Sequence, residues 1–334
     1  LWLNDAWLMI LFSGSLIVLI WLWINRKVSQ AMLMVVTVSL AIVDIGIVNF
    51  KIIQPNRSSG RGSQLMSKRV VDRFFQEDEI IKFLKQDESD FRIYPIGGLF
   101  GESRFAAFGL ESVGGYHPAK LKDYNTFLSK TGNAAALPVL RMLNVKYLVS
   151  PQKINHPEIK SVKTGEIKSS RGNVSVDVLK VSNPSPRAWF VIETETVSDD
   201  EVWRKIVQPS FNPLETAYVN EPIKISADSK GSIIKFEKGV NHTRIMTESS
   251  GNQFLVLSEV YYPLRWKAMM DGKEIQTHKV NGILRGVEVP AGNHTIDFIY
   301  DKSSFKKGLT ISFTSFGLSL GLIGLGYFRR KKDE

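Results

Sequence analysis

Two uncharged apolar runs open the chain and a third closes it, with a polar body between them. Ala6 to Ile24 and Gly308 to Phe328 contain no ionisable side chain, and Val28 to Phe50 contains only Asp44. Each run is close to the ~20 residues that a helix needs to cross ~30 Å of hydrocarbon. The pattern therefore predicts three transmembrane helices around a body that runs from Lys51 to Lys307. A secretory signal is a poor reading of the first run, which has no basic segment before it and is followed at once by a second span. Because it opens on Leu1 and enters a helix immediately, the chain reads as the carboxyl-terminal part of a longer membrane protein.

Inside the body the periodicity changes twice. Gln54 to Gln64 is rich in Ser, Gly and Arg and reads as a linker. From Ser67 to Gln86, Val70, Phe74, Ile81 and Leu84 recur at helical spacing. Short strands are predicted at Phe91 to Tyr94, Val145 to Ser150, Val174 to Val181 and Ala188 to Ile192, with helices at Leu121 to Ser129 and Ala134 to Leu143. Ser198-Asp199-Asp200-Glu201 is a capping box, so its three acids are read as the start of a helix.

After Pro213, seven short alternating runs follow: Ile233 to Glu237, His242 to Glu248, Phe254 to Val260, Trp266 to Met270, Glu274 to Val280, Leu284 to Val289 and His294 to Tyr300. Asp271-Gly272 and Asn281-Gly282 supply the positive φ that tight hairpins require. The predicted fold class is a membrane protein with three transmembrane helices plus an extracytoplasmic region made of a mixed α/β domain and an antiparallel β-sandwich. Its predicted domains are residues 1–50 (two transmembrane helices with a short cytoplasmic hairpin), 51–197 (mixed α/β), 198–306 (sandwich) and 307–334 (transmembrane helix and basic cytoplasmic tail).

Charge sets the orientation. Lys and Arg near span ends are retained on the cytoplasmic side. Arg26 and Lys27 lie in the first hairpin, and Arg329, Arg330, Lys331 and Lys332 follow the last span. All six fall on one side, which puts the body outside the cytoplasm. Lys51, Arg57, Arg61, Lys302, Lys306 and Lys307 oppose this, but they flank a long domain, where the rule is weaker. The formal charge of +10 is not gathered into a stripe, so nucleic acid is not an expected partner. With no cysteine the body has neither disulfides nor thiolate chemistry.

Catalytic motifs are scarce. The five histidines lack metal-ligand spacing, and neither a nucleophile elbow nor a Walker loop is present. Gly97-Gly98-Leu99-Phe100-Gly101 follows a strand but reads as a turn. One segment combines useful chemistry: in Gly114-Gly115-Tyr116-His117-Pro118-Ala119-Lys120, paired glycines permit close backbone approach beside an aromatic face, a titratable donor and a cation. Together with Arg104, Arg141 and Glu102, it could grip a sugar or phosphate; the plain alternative is a turn into the next helix. The aromatic cluster Tyr261-Tyr262-Pro263-Leu264-Arg265-Trp266 reads as core at a strand junction. In the spans, Asp44 is expected to face the bundle interior. Gly317, Gly321 and Gly324 form a small-residue ridge suited to helix packing.

Ser112 through Leu121, Leu140 through Val149, Pro186-Arg187-Ala188-Trp189, Tyr261 through Trp266, Asp271-Gly272-Lys273, Val289-Pro290-Ala291-Gly292 and Tyr300 together resemble the YfhO family of bacterial integral membrane proteins. The chain departs from that pattern at Arg265, where the family commonly has Gly, and at Pro118. The resemblance implies a many-span protein of GT-C glycosyltransferase architecture in the bacterial plasma membrane, one that uses a polyprenyl-phosphate-linked sugar to decorate envelope polymers. It also implies a catalytic carboxylate in an early extracytoplasmic loop, upstream of Leu1. No catalytic residue, metal or cofactor is assigned in this chain, which is expected to be inactive alone. The substrate-binding candidates are Arg104, Gly114, Gly115, Tyr116, His117, Lys120 and Arg141. Expected partners are the bilayer, upstream transmembrane helices and a lipid-linked sugar or envelope glycan. The competing readings are a non-catalytic, membrane-anchored glycan-binding or assembly module and a lipid-carrier transporter.

Overall fold

The computed structural model describes residues 2–53, 71–72, 74–169 and 172–333, and the chain divides after Gln76 into two units. The first unit contains α1 (Trp2–Ile24) and α2 (Gln30–Ile53). Arg26 ends α1 in the left-handed region at φ 56°. There the Arg26 and Lys27 amides donate to the Trp23 and Leu22 carbonyls, both at 2.9 Å. This is the Schellman arrangement with arginine in the usual glycine position, at a cost of about 1 kcal/mol. Asp44 is exposed on α2. The expected linker at 54–64 lies outside the described residues, as does part of the helix expected from Ser67. Among the described residues that helix is not continuous: the chain turns at 75–78, and α3 (Glu79–Lys85) starts afresh, capped by the Asp78 carboxylate, which accepts from the Ile81 amide at 2.9 Å.

The second unit begins with a mixed five-stranded sheet. Its strands are β1 (Arg92–Pro95), β2 (Glu111–Ser112), β3 (Val145–Ser150), β4 (Ile159–Ser169) and β5 (Gly172–Val181), in the order β2-β1-β3-β5-β4. β1 runs parallel to both β2 and β3, while β3, β5 and β4 pair antiparallel. The crossover from β2 to β3 carries α4 (Lys122–Lys130) and α5 (Leu137–Met142). Successive strand residues point to opposite faces, which sorts the core. Ile93, Val149 and Val178 pack with Ile80 and Leu84 of α3. Tyr94, Leu148 and Leu179 pack on the other face with Phe127 and Met142.

The remaining elements are β6 (Ala188–Phe190), β7 (Glu193–Thr196), α6 (Asp199–Lys205), β8 (Thr216–Val219), β9 (Gly231–Lys238), β10 (His242–Ser249), β11 (Gln253–Val260), β12 (Trp266–Met270), β13 (Lys273–Ile275), β14 (His278–Val280), β15 (Leu284–Val289), β16 (Gly292–Tyr300) and α7 (Ser303–Asp333). They form a six-stranded sheet, β6-β11-β15-β14-β8-β7, facing a five-stranded one, β13-β12-β16-β10-β9. All pairings are antiparallel except β7 with β8. Both expected hairpins form: Asp271 and Gly272 have φ 48° and 82°, and Asn281 and Gly282 have φ 50° and 75°. The six-stranded sheet is covered on both faces. Leu255 and Leu257 enter the sandwich core, whereas Phe254 and Val256 join the core that continues into the α/β sheet.

Strand pairing alters the boundaries read from the sequence. Ala188–Phe190, assigned to the α/β half, pairs with β11, so the sandwich sheet starts ten residues before 198. The run Glu274 to Val280 is two strands in different sheets, because Gln276-Thr277 crosses between them. Ser198 caps α6, accepting from the Glu201 amide at 3.3 Å. α7 begins at Ser303, above its apolar run. Trp7–Ile24, Gln30–Phe50 and Ser303–Gly326 are long and apolar enough to cross a membrane. A Cβ added at Gly317, Gly321 or Gly324 would meet nothing within 4 Å.

An ion network joins the α/β sheet to the sandwich. Arg187, 4 % exposed, donates from Nε and Nη2 to the Asp90 carboxylate at 3.0 and 2.6 Å and from Nη2 to Glu111 at 2.9 Å. Arg92 donates to Glu259 at 2.9 Å, to Ser258 Oγ at 3.0 Å and to the Leu143 carbonyl at 3.0 Å. Lys238 pairs with Glu111 and with Asp90. The pairing of β11 with β15 shifts register between Leu257 and Val260. This bulge presents Ser258 and Glu259 to Arg92. Burial pushes the Asp90 and Glu111 carboxyls up, but hydrogen bonds and charge from Arg187 and Lys238 outweigh it and hold both below the ordinary range.

Arg187→Ala would leave two carboxylates facing each other without their shared guanidinium. Because both are partly exposed, the expected loss is about 2–4 kcal/mol, at or below the range for breaking a buried pair. Depressed carboxyl values contribute stability that is complete above the unfolded values of 3.8 and 4.5 and is lost as pH falls through the lower folded ones. Urea unfolding in detergent should therefore show stability declining on acidification below about pH 4, with a shallower decline in Arg187→Ala. An unchanged unfolding midpoint in the variant would mean that the network holds nothing together.

Candidate functional site

A cavity of about 880 Å³ opens between the α/β sheet and the sandwich. Phe100, Val113, Leu121, Tyr124 and Leu128 line one side, and Ser258, Val260 and Leu284 the other. Arg92 and Glu111 bring one edge of the ion network to its wall, and Gly114 through His117, Ala119 and Lys120 form its polar rim. Most of the lining is apolar, with polar groups converging at a few points, as in small-molecule sites generally.

The rim loop is tied down before it meets any ligand. Ser103 Oγ accepts from the Tyr116 amide at 3.1 Å and donates to the Tyr116 carbonyl at 3.0 Å. The Gly115 amide donates to the Phe100 carbonyl at 2.6 Å. Gly115 has φ 128°, and a Cβ on Gly114 would run into the Phe100 carbonyl oxygen, a backbone atom that cannot yield. The paired glycines thus serve a close approach of backbone to backbone, whereas the sequence had suggested an approach to ligand.

The functional groups of the loop face outward. Tyr116 is 70 % exposed, and Lys120 Nζ lies 5.8 Å from the centre of its ring. The Ala119 amide donates to His117 Nδ1 at 3.1 Å. A buried turn with Tyr116 in the core does not describe this loop. Deeper in, Tyr124 donates to the Val113 carbonyl at 2.7 Å, and burial pushes its phenol up to about 12. It is therefore a neutral group at physiological pH and no base. Burial lowers the pKa of Arg92, opposed by the Glu259 carboxylate.

Of the seven candidate residues, the fold brings Gly114, Gly115, Tyr116, His117 and Lys120 to the cavity. The other two are engaged elsewhere. Arg104 is buried, with Nη1 2.7 Å from Asp78 and its guanidinium over the Phe108 ring. Arg141 donates to Glu158 at 2.5 Å and to the Ser182 carbonyl at 3.1 Å. Neither arginine lines the cavity. Arg92, Tyr124 and Ser258 were not singled out. Ser258 had a signal, a polar residue interrupting the apolar strand Phe254-Leu255-Val256-Leu257-Ser258-Glu259-Val260, whereas Arg92 and Tyr124 had none. Among the described residues no group of three or more His, Cys, Asp or Glu is placed to hold a metal.

Gly114→Ala should destabilise the protein by about 1–3 kcal/mol, since the added methyl has only backbone to displace. Thermal unfolding measures the loss, and a variant as stable as the parent would show that the loop moves freely.

No curated protein and no solved structure matches the chain. Residues 166–312 match the family model described as bacterial membrane protein YfhO. That stretch includes Arg187 and the sandwich wall of the cavity, while the Gly114–Lys120 rim lies before it. Over that stretch, less than half of its length, the chain is similar to the YfhO family, the one that its motifs resemble.

Proposed function

We propose that this chain is the extracytoplasmic, substrate-holding region of a glycosyltransferase that uses a lipid-linked sugar to modify polymers of the bacterial cell envelope. The observation that carries the reading is the cavity itself, which joins an apolar wall to a rim of phenol, imidazole and ammonium groups. An amphiphile with a phosphate-linked sugar head matches that division. Its prenyl chain would lie against Phe100, Leu121 and Val260, and its phosphate and hydroxyls would meet Lys120 and His117. Tyr116 offers a ring face for the sugar. The family match and the three apolar helices support a membrane location for this chemistry. The transfer step needs a carboxylate base, and none is assigned here: Glu111, on the cavity wall, is committed to Arg187 and Lys238.

Binding of polyprenyl-phosphate glucose to the chain in nanodiscs tests the reading. Saturable binding is expected. Lys120→Ala and His117→Ala should each weaken it by about tenfold or more, the worth of one charge-assisted hydrogen bond, with unfolding midpoints unchanged. Arg141→Ala, at a residue paired with Glu158, should bind as the parent does. Loss of binding only in step with loss of folding would reduce the loop to a structural turn. Equal affinity for an envelope glycan that carries no lipid would favour the non-catalytic glycan-binding module.

A further inference from the structure

The end of the sandwich where α7 begins carries two exposed apolar tips. Val240, in the turn between β9 and β10, is 92 % exposed, and Leu264, between β11 and β12, is 76 % exposed. Both are tied to the residues that lead into the helix. The Tyr300 amide donates to the Asn241 carbonyl at 3.0 Å, and the Asp301 amide donates to the Arg265 carbonyl at 2.6 Å. Arg265 also donates from Nη1 to Ser304 Oγ at 2.7 Å.

These bonds fix the depth of the tips. Ser304 precedes Gly308, the first residue of the uncharged run, by four residues, or ~6 Å along a helix. A headgroup layer is about 5–8 Å thick, so both tips sit at its level if α7 spans the bilayer. The surrounding side chains suit that layer. Trp266 and Tyr300 meet edge to face at 5.6 Å, and amphipathic rings of this kind collect at membrane interfaces. Arg265, Lys302, Lys306 and Lys307 place four cations around the same end. Asp301 is turned to Ser303, whose amide it accepts at 2.8 Å.

We propose that this end of the sandwich is a membrane-contact surface, with Val240 and Leu264 seated in the headgroup layer and the surrounding cations on anionic lipid. Two loops and the helix then hold the sandwich on the bilayer at three points, so α7 does not act as a lone tether. The proposal rests on the membrane span and makes no use of the sugar-binding reading.

The chain has no cysteine, so single cysteines introduced at the tips can carry an environment-sensitive fluorophore. Leu264→Cys and Val240→Cys would be compared with Ala291→Cys, which is exposed in the turn before β16 at the opposite end of the same sheet. In nanodiscs containing phosphatidylglycerol and a lipid spin-labelled near the headgroup, both tip labels should be blue-shifted and quenched, and the Ala291 label should be neither. Replacing phosphatidylglycerol with phosphatidylcholine should weaken the quenching. Tip labels that match Ala291 would overturn the proposal. So would tip labels that are blue-shifted but unquenched, because they would be covered by protein. Quenching unchanged in phosphatidylcholine would overturn the role given to the cations.

Discussion

Arg187 and Arg92 lie where the α/β sheet meets the sandwich, and their burial sets the condition for everything built around them. A guanidinium cannot lose a proton to escape desolvation, so it must be fully partnered or the seam cannot close. Three cations, Arg92, Arg187 and Lys238, meet three carboxylates, Asp90, Glu111 and Glu259, drawn from both sides of the seam. The formal charges cancel. Such a network adds little net stability over apolar packing, but it tolerates few alternative alignments of the two layers. The bulge in β11 belongs to the same solution: without the register shift Ser258 and Glu259 would not both reach Arg92.

The cavity follows from that alignment. One wall is the α/β loop region and the other is formed by the adjoining ends of β11 and β15 in the six-stranded sheet, so neither half contains it alone. With Glu111 neutralised in the seam, the polar contacts offered to a ligand concentrate at the rim, on Tyr116, His117 and Lys120. The strand that supplies Ser258 and Val260 to the cavity ends there, and Leu264 follows in the turn that leads into β12. The binding site proposed above and the membrane contact thus adjoin one end of β11.

Much of this was legible in the sequence because burial on both faces of a sheet leaves a regular mark. Six of the seven runs after Pro213 are single strands and the seventh, Glu274 to Val280, holds two, and both hairpin dipeptides adopt the positive φ that their composition demanded. β4 was missed because its sequence, Ile159-Lys160-Ser161-Val162-Lys163-Thr164-Gly165-Glu166-Ile167-Lys168-Ser169, is polar at most positions and is held by its pairing with β5 and by the Asp78 and Glu79 carboxylates at the start of α3. The division near 198 falls late because Ala188–Phe190, read correctly as a strand, was given to the α/β half, and only its pairing with β11 shows which sheet it joins. At the site, the loop was visible as a local cluster of chemistry. Arg104 and Arg141 were drawn in by proximity along the chain, and only the fold shows that Asp78 and Glu158 hold them. Arg92 could be found only through its partners, which lie far away in sequence.

Photo-crosslinking tests the central claim most directly, that the cavity between the α/β sheet and the sandwich is where a lipid-linked sugar rests. A polyprenyl-phosphate glucose bearing a diazirine near the phosphate would be irradiated with the chain in nanodiscs and the modified peptides mapped by mass spectrometry. The account predicts labelling in the segment from Gly114 to Tyr124 and on the β11 segment that contains Val260, both suppressed by unlabelled lipid. Labelling confined to α1, α2 and α7, with neither cavity wall modified, would contradict it.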